Sequence, residues 1–189
     1  MPGWIAWTTA ALAAFVVVIA LATAVLAVTR LRRAGRGARS SLAGFDLQMR
    51  LRAEAVIDLV TAVRGVAEHE RGILAEAEAA HDQASRSCET DSIDERAAAR
   101  ARLDGSVRDL LAITEAYPDL TASEAFRAVR GRLLEAERMA DVAAGEYDTQ
   151  ARRSNAVLRT SPWRHLAGLA GVRERALLAG AAEPDPARA

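Results

Sequence analysis

The sequence predicts an all-α protein, with one N-terminal transmembrane helix followed by an antiparallel bundle of long helices. Three observations lead there. The commonest residues include Ala, Leu, Glu and Arg, all strong helix formers, while aromatic residues are only 4% of the chain. The first 29 or so residues are almost wholly apolar. Beyond them, apolar residues recur every three or four positions, the spacing of a helix with one buried face.

The anchor comes first. No charged residue lies between Trp4 and Thr29. As a helix this run would reach roughly 39 Å, enough to cross a hydrocarbon layer of about 30 Å with some tilt. Trp4 and Trp7 stand at one end, where amphipathic rings favour the interface. Arg30, Arg32, Arg33, Arg36 and Arg39 follow at the other end, and basic flanks stay on the cytoplasmic side. The expected topology is therefore an outside N-terminus and a cytoplasmic C-terminal domain in the inner membrane. A cleaved signal with a small-residue site at Ala22-Thr23-Ala24 is the rival, but it lacks basic side chains before the apolar run. Residues 30–44 contain Gly35, Gly37 and Gly44 and read as a basic juxtamembrane hinge. Its arginines serve either as the topology signal alone or also as contacts to anionic head groups.

The bundle is expected over residues 45–179. A first helix is read from Phe45 to about Ser85, on a stripe of Val56, Leu59, Val60, Val63, Ile73, Leu74 and Ala77. Polar residues 85–90 form a loop. Ser92 with Glu95 makes a capping box for a second helix, which ends near Tyr117 because Pro118 disfavours helical geometry before it. Thr121 with Glu124 reads as another capping box, opening a helix to about Arg159 on Phe126, Val129, Leu133, Ala140, Ala143, Tyr147, Ala151 and Leu158. Ser161 and Pro162 suggest the start of a short terminal helix, and residues 180–189 a disordered tail.

Composition excludes some function classes. The 25 arginines balance 25 acidic residues and no lysine is present, so no general basic face calls for nucleic acid. Cys88 is the only cysteine and cannot form an internal disulfide. His69-Glu70 begins like a zinc-protease motif, but position 73 is Ile where a second His is needed. Glu78 and His81 have the Glu-x-x-His spacing of di-iron bundles, which require two such motifs. No catalytic set, cofactor loop or metal set is assembled, and the expectation is a protein that is not an enzyme and carries no cofactor.

Three polar residues interrupt the apolar stripes: Glu70, Glu137 and Asn155. They either form a polar site inside the bundle, or pair with Arg or backbone groups to fix helix register, or lie at the stripe's edge in water, since a buried carboxylate must be paired.

The segment Tyr117-Pro118-Asp119-Leu120, with Leu133, Glu137, Met139, Tyr147, Asn155 and Pro162 downstream and Leu59-Val60, Val63-Arg64-Gly65 and His69-Glu70 upstream, resembles the LemA family. The likeness covers about Arg50 to Gly171. It departs from the family pattern at Ile57-Asp58, Ala144, Asp148, Ser154, Ser161 and Val172, and this looks like a divergent member. The resemblance implies a bacterial, membrane-anchored helical bundle without known enzymatic activity.

The functional expectation is an adaptor or scaffold on the cytoplasmic face of the membrane, whose partners are the lipid bilayer and another membrane protein or itself. Two alternatives stand beside it. One is a self-assembling structural protein, since Ala6, Ala10, Ala14, Ala20 and Ala24 would allow anchors to pack closely. The other is a ligand- or metal-binding bundle using Glu70 and Glu137.

Overall fold

A computed structural model describes residues 3–65, 69–159 and 174–181; before Gly35, side chains are described only at some positions. Among the described residues every regular element is a helix. The order is α1 (Gly3–Arg64), α2 (Arg71–Ser87), α3 (Ile93–Thr114), α4 (Pro118–Ala122), α5 (Glu124–Arg159) and α6 (Leu178–Ala181).

Helices α1, α2, α3 and α5 form an up-down-up-down bundle. Cross-helix pairs fix the directions. Asp58 faces Arg132, Arg52 faces Glu137 and Gly37 faces Gln150, so α5 runs antiparallel to α1. Asp46 faces Arg96 and Arg52 faces Asp104, so α3 runs parallel to α1. The core takes Phe45, Met49, Val56, Leu59, Val60 and Val63 from α1, Leu103 and Leu110 from α3, and Phe126, Leu133 and Tyr147 from α5. Alanine fills much of the rest, at Ala77, Ala80 and Ala84 of α2 and at Ala140, Ala144 and Ala151 of α5. Small side chains let the axes approach closely, while each contact removes little area from water. Buried hydroxyls are satisfied within their own helices, as at Ser87 to the Ala84 carbonyl (2.8 Å) and Ser106 to the Leu103 carbonyl (3.0 Å).

The sequence-based boundaries need five corrections. Residues 30–44 are not a hinge: α1 continues through all three glycines. A helical glycine costs only about 1 kcal/mol, and at Gly37 the helix passes close to α5, where an added Cβ would lie 3.3 Å from the Gln150 amide oxygen. The stripe read as one helix from Phe45 to Ser85 belongs to two, because the chain reverses after Arg64. A helical hairpin keeps the same period on both arms, so periodicity alone does not see the turn; a last-turn Arg followed by Gly65 was the available signal.

The capping box at Ser92 forms by half: its Oγ accepts from Glu95 N–H at 3.2 Å, but its own N–H turns to Thr90 Oγ1. The box at Thr121 does not form. Pro118 starts the short α4 instead, the Thr121 hydroxyl donates to the Pro118 carbonyl (2.9 Å), and Ser123 Oγ caps α5 by accepting from Phe126 N–H (3.2 Å). Residues 178–181 form a helical turn where a tail was expected from Gly180. The predicted helix start at Ser161 and Pro162, and the tail beyond Ala181, lie outside the described residues.

Over the described residues, no helix is long and apolar enough to cross a membrane, so the helical bundle is seen and the expected transmembrane helix is not supported. Trp7 is exposed, while the side chains of Trp4, Arg30, Arg32 and Arg33 lie outside the described set.

Candidate functional site: a C-terminal clamp beside a buried arginine

Two polar assemblies occupy the interior, and α5 contributes to both. The first centres on Arg52, whose side chain is 1% exposed in the middle of α1. Its Nη2 donates to Glu137 Oε1 of α5 at 2.9 Å, and its Nη1 lies 2.5 Å from Asp104 Oδ1 of α3. The Asp104 contact is a charge pair rather than an aligned hydrogen bond, and Nε has no acceptor among the described residues. Both carboxylates reach the surface, so one guanidinium ties three helices together while its counter-charges keep partial hydration. One end of the bundle repeats the device. There, Arg96 of α3 forks onto both oxygens of Asp46 of α1, at 2.7 and 3.0 Å.

The second assembly is a clamp. The chain returns at Glu174 and lies along α5, where successive turns hold its backbone. Asn155 Oδ1 accepts from Arg175 N–H (2.8 Å), and Asn155 Nδ2 donates to the Arg175 carbonyl (2.9 Å). The Tyr147 hydroxyl donates to the Ala176 carbonyl (3.0 Å). Asp148 accepts from Leu178 N–H (2.8 Å) on one oxygen and from Ala179 N–H (3.1 Å) on the other, capping α6. Each carboxylate oxygen of Asp148 thus meets one of the two donors. Arg159 forks onto Glu174 (2.8 and 3.0 Å) where the segment returns, and Leu178 inserts into the core. Arg175 also reaches the Gly35 carbonyl of α1 at 3.5 Å. Burial, partly offset by the Arg175 charge, pushes the Tyr147 phenol up, which keeps it in the neutral, donating form.

The expected polar residues divide accordingly. Glu137 and Asn155 sit at the two assemblies, Glu137 paired with Arg52 and Asn155 with the backbone of Arg175. Glu70 does not join them. It is exposed at the start of α2, where its carbonyl accepts from Ile73 and Leu74 N–H, and the reversal after Arg64 takes it off the stripe. Glu78 is engaged by Arg64 and His81 contacts Asp82 at 3.2 Å, so the Glu-x-x-His pair is spent on surface contacts. Among the described residues no three metal-ligating side chains converge. Burial, with the Asp46 charge next, raises the Cys88 thiol above its usual range, so little reactive thiolate forms.

Tyr117-Pro118-Asp119-Leu120 is a corner: Tyr117 stands at the N-cap position of α4 without a side-chain capping bond, Pro118 opens the helix, Asp119 sits in its first turn and Leu120 packs against the core. Pro162 lies outside the described residues. Sequence reasoning missed Arg52, although it continues the stripe Met49, Arg52, Val56 as an arginine on an apolar face.

A groove of about 890 Å³ runs between α1 and α5 on the outer side, floored by Gly37, Gly44 and Gly145 and edged by Ser40, Gln150 and Arg153. Leu47 and Leu51 follow Gly44 on the same side of α1, and Val142 lines the groove from α5; all three are exposed.

No curated protein matches the chain as a relative. The model of the LemA family, however, matches residues 41–187, which include the second part of α1, all of α2 to α6 and the clamped C-terminal segment. The chain therefore belongs to the LemA family.

Proposed function

We propose that this LemA protein is a membrane-tethered adaptor: a non-catalytic bundle held at the cytoplasmic face of the inner membrane to dock a protein partner. The observation that carries the tether is the exposure pattern of α1. Phe15, Val16, Val17, Val18 and Ile19 are consecutive and all 48–63% exposed, so apolar side chains surround the helix on every side. Five residues at 100° each circle a helix once, and such a surface calls for an apolar solvent. Thr23 and Thr29 turn their hydroxyls onto the carbonyls of Ile19 and Leu26, as buried or lipid-facing hydroxyls do. The arginines after Thr29 support the inside orientation of the bundle.

The docking role is supported by the α1/α5 face. Leu47, Leu51 and Val142 expose apolar surface beside a groove of small residues, a shape suited to an apolar helix of another membrane protein. In-cell photo-cross-linking of the full-length protein, with the reactive group at Val142 and separately at exposed Glu95, tests this reading. A foreign membrane protein captured from Val142 alone supports it. Links only between copies of this chain would replace it with self-assembly, and a reporter active outside the membrane after Ala189 would overturn the topology.

A further inference from the structure

The balanced formal charge conceals a segregation. Residues 40–149 carry 13 arginines against 22 acidic residues, net −9, while the remaining residues carry 12 against 3, net +9. The two basic flanks are far apart in sequence, but the antiparallel packing of α1 and α5 brings them to one end. Gly37 faces Gln150 and Gly35 faces Arg175, so Arg36 and Arg39 lie at the same level as Arg152, Arg153 and Arg175. Arg36, Arg39, Arg152 and Arg153 are exposed and form no ion pair with another described residue, and Arg153 edges the α1/α5 groove. Arg159 at the same end is paired with Glu174, Asp148 is taken up by the backbone N–H groups of Leu178 and Ala179, and Glu146 lines the groove below Arg153, so the exposed arginines still outnumber the acidic groups there.

We propose that this end is a basic collar that binds the phosphates of anionic phospholipids, with half of its charge supplied by α5 rather than by the segment next to the anchor. The inference rests on the membrane reading above, because that reading places this end of the bundle against the bilayer. Charge complementarity selects the partner: arginines with no ion pair among the described residues meet an anionic surface, while the acidic body is repelled by it and stands away. The collar thus sets how the bundle is held, which an anchor alone leaves free.

The test uses the full-length chain in vesicles of phosphatidylcholine alone or mixed with phosphatidylglycerol. Thermal unfolding of the bundle is followed by circular dichroism. Ligand binding to the folded state raises the midpoint, so the midpoint is expected to rise with phosphatidylglycerol and to fall back in high salt. Arg152→Gln/Arg153→Gln is expected to lose much of the rise, and Arg127→Gln/Arg130→Gln, at the far end of the bundle, to keep it. Equal midpoints in the two lipids, an equal loss in both variants, or the same rise from millimolar inorganic phosphate without anionic lipid would each overturn the proposal. Flotation with neutral vesicles in high salt reads the anchor separately. Failure to float there with a salt-sensitive gain on anionic vesicles would sink the anchor and keep the collar.

Discussion

Asn155 holds Arg175 by both ends of its side-chain amide, accepting from the backbone N–H at 2.8 Å and donating to the carbonyl at 2.9 Å. One side chain thereby gives the returning segment the pairing that a neighbouring strand would give. Asn155→Ala is expected to cost about 1–3 kcal/mol, since it strands two half-buried backbone groups. Hydrogen exchange should locate the effect: amides 175–179 lose protection while those of α3 keep it. Uniform loss across the bundle would mean that the clamp is not a local device.

Arg52 predicts an asymmetry between its two sides. Glu137→Leu removes an aligned acceptor from a buried guanidinium and should lower stability by about 1–3 kcal/mol. Arg52→Met should cost less than Arg52→Ala, because the freed carboxylates of Glu137 and Asp104 reach water while Met fills most of the vacated volume. Urea titrations of the three variants decide the order. An unchanged Glu137→Leu protein would show the pair to be energetically idle.

The caps give a sharper comparison. Ser92→Ala and Ser123→Ala each remove a hydroxyl that accepts from a helix N-terminal N–H and should cost about 1 kcal/mol. Thr121→Ala, whose hydroxyl only donates to the Pro118 carbonyl, should cost roughly 0.5 kcal/mol or less. Equal losses for Thr121 and Ser123 in thermal unfolding would restore the capping box at Thr121.

Alkaline pH should release the clamp. The Tyr147 pKa is raised in the folded state, so the folded protein holds this proton more tightly than the unfolded chain does. Stability from this group is full below the ordinary tyrosine value of about 10 and is lost as pH climbs above it. In a Tyr117→Phe background, tyrosinate absorbance should rise only above that ordinary range. Tyr147→Phe should abolish both the absorbance change and this part of the alkaline destabilisation.

The local chemistry of these elements was plain in the sequence wherever one residue decides it. Ser92 before an apolar-periodic run, Pro118 after Tyr117 and the Phe126–Leu158 stripe each act within a few residues, and the helices follow them. What was hidden depends on partners far away in the chain. Asn155 stood out as a polar intrusion and Tyr147 read as part of the apolar stripe, but their partners are backbone groups of 175–176, which carry no side-chain signature. The turn after Arg64 was hidden because a stripe keeps its period through a reversal. The collar was hidden because only the pairing of α1 with α5 brings Arg39 and Arg153 to one level.

The continuity of α1 has a mechanical consequence. With no joint at residues 30–44, the apolar N-terminal half and the bundle's first helix form one lever. At about 1.5 Å per residue, the portion from Thr29 to Arg64 is roughly 52 Å long. Under the proposed membrane tether, a tilt of about 10° in the apolar half would swing the far end of the bundle by roughly 9 Å if the helix stays straight. Bilayer thickness and the packing of neighbouring helices, which set such tilts, would then be transmitted as displacement to whatever stands beside the bundle's tip.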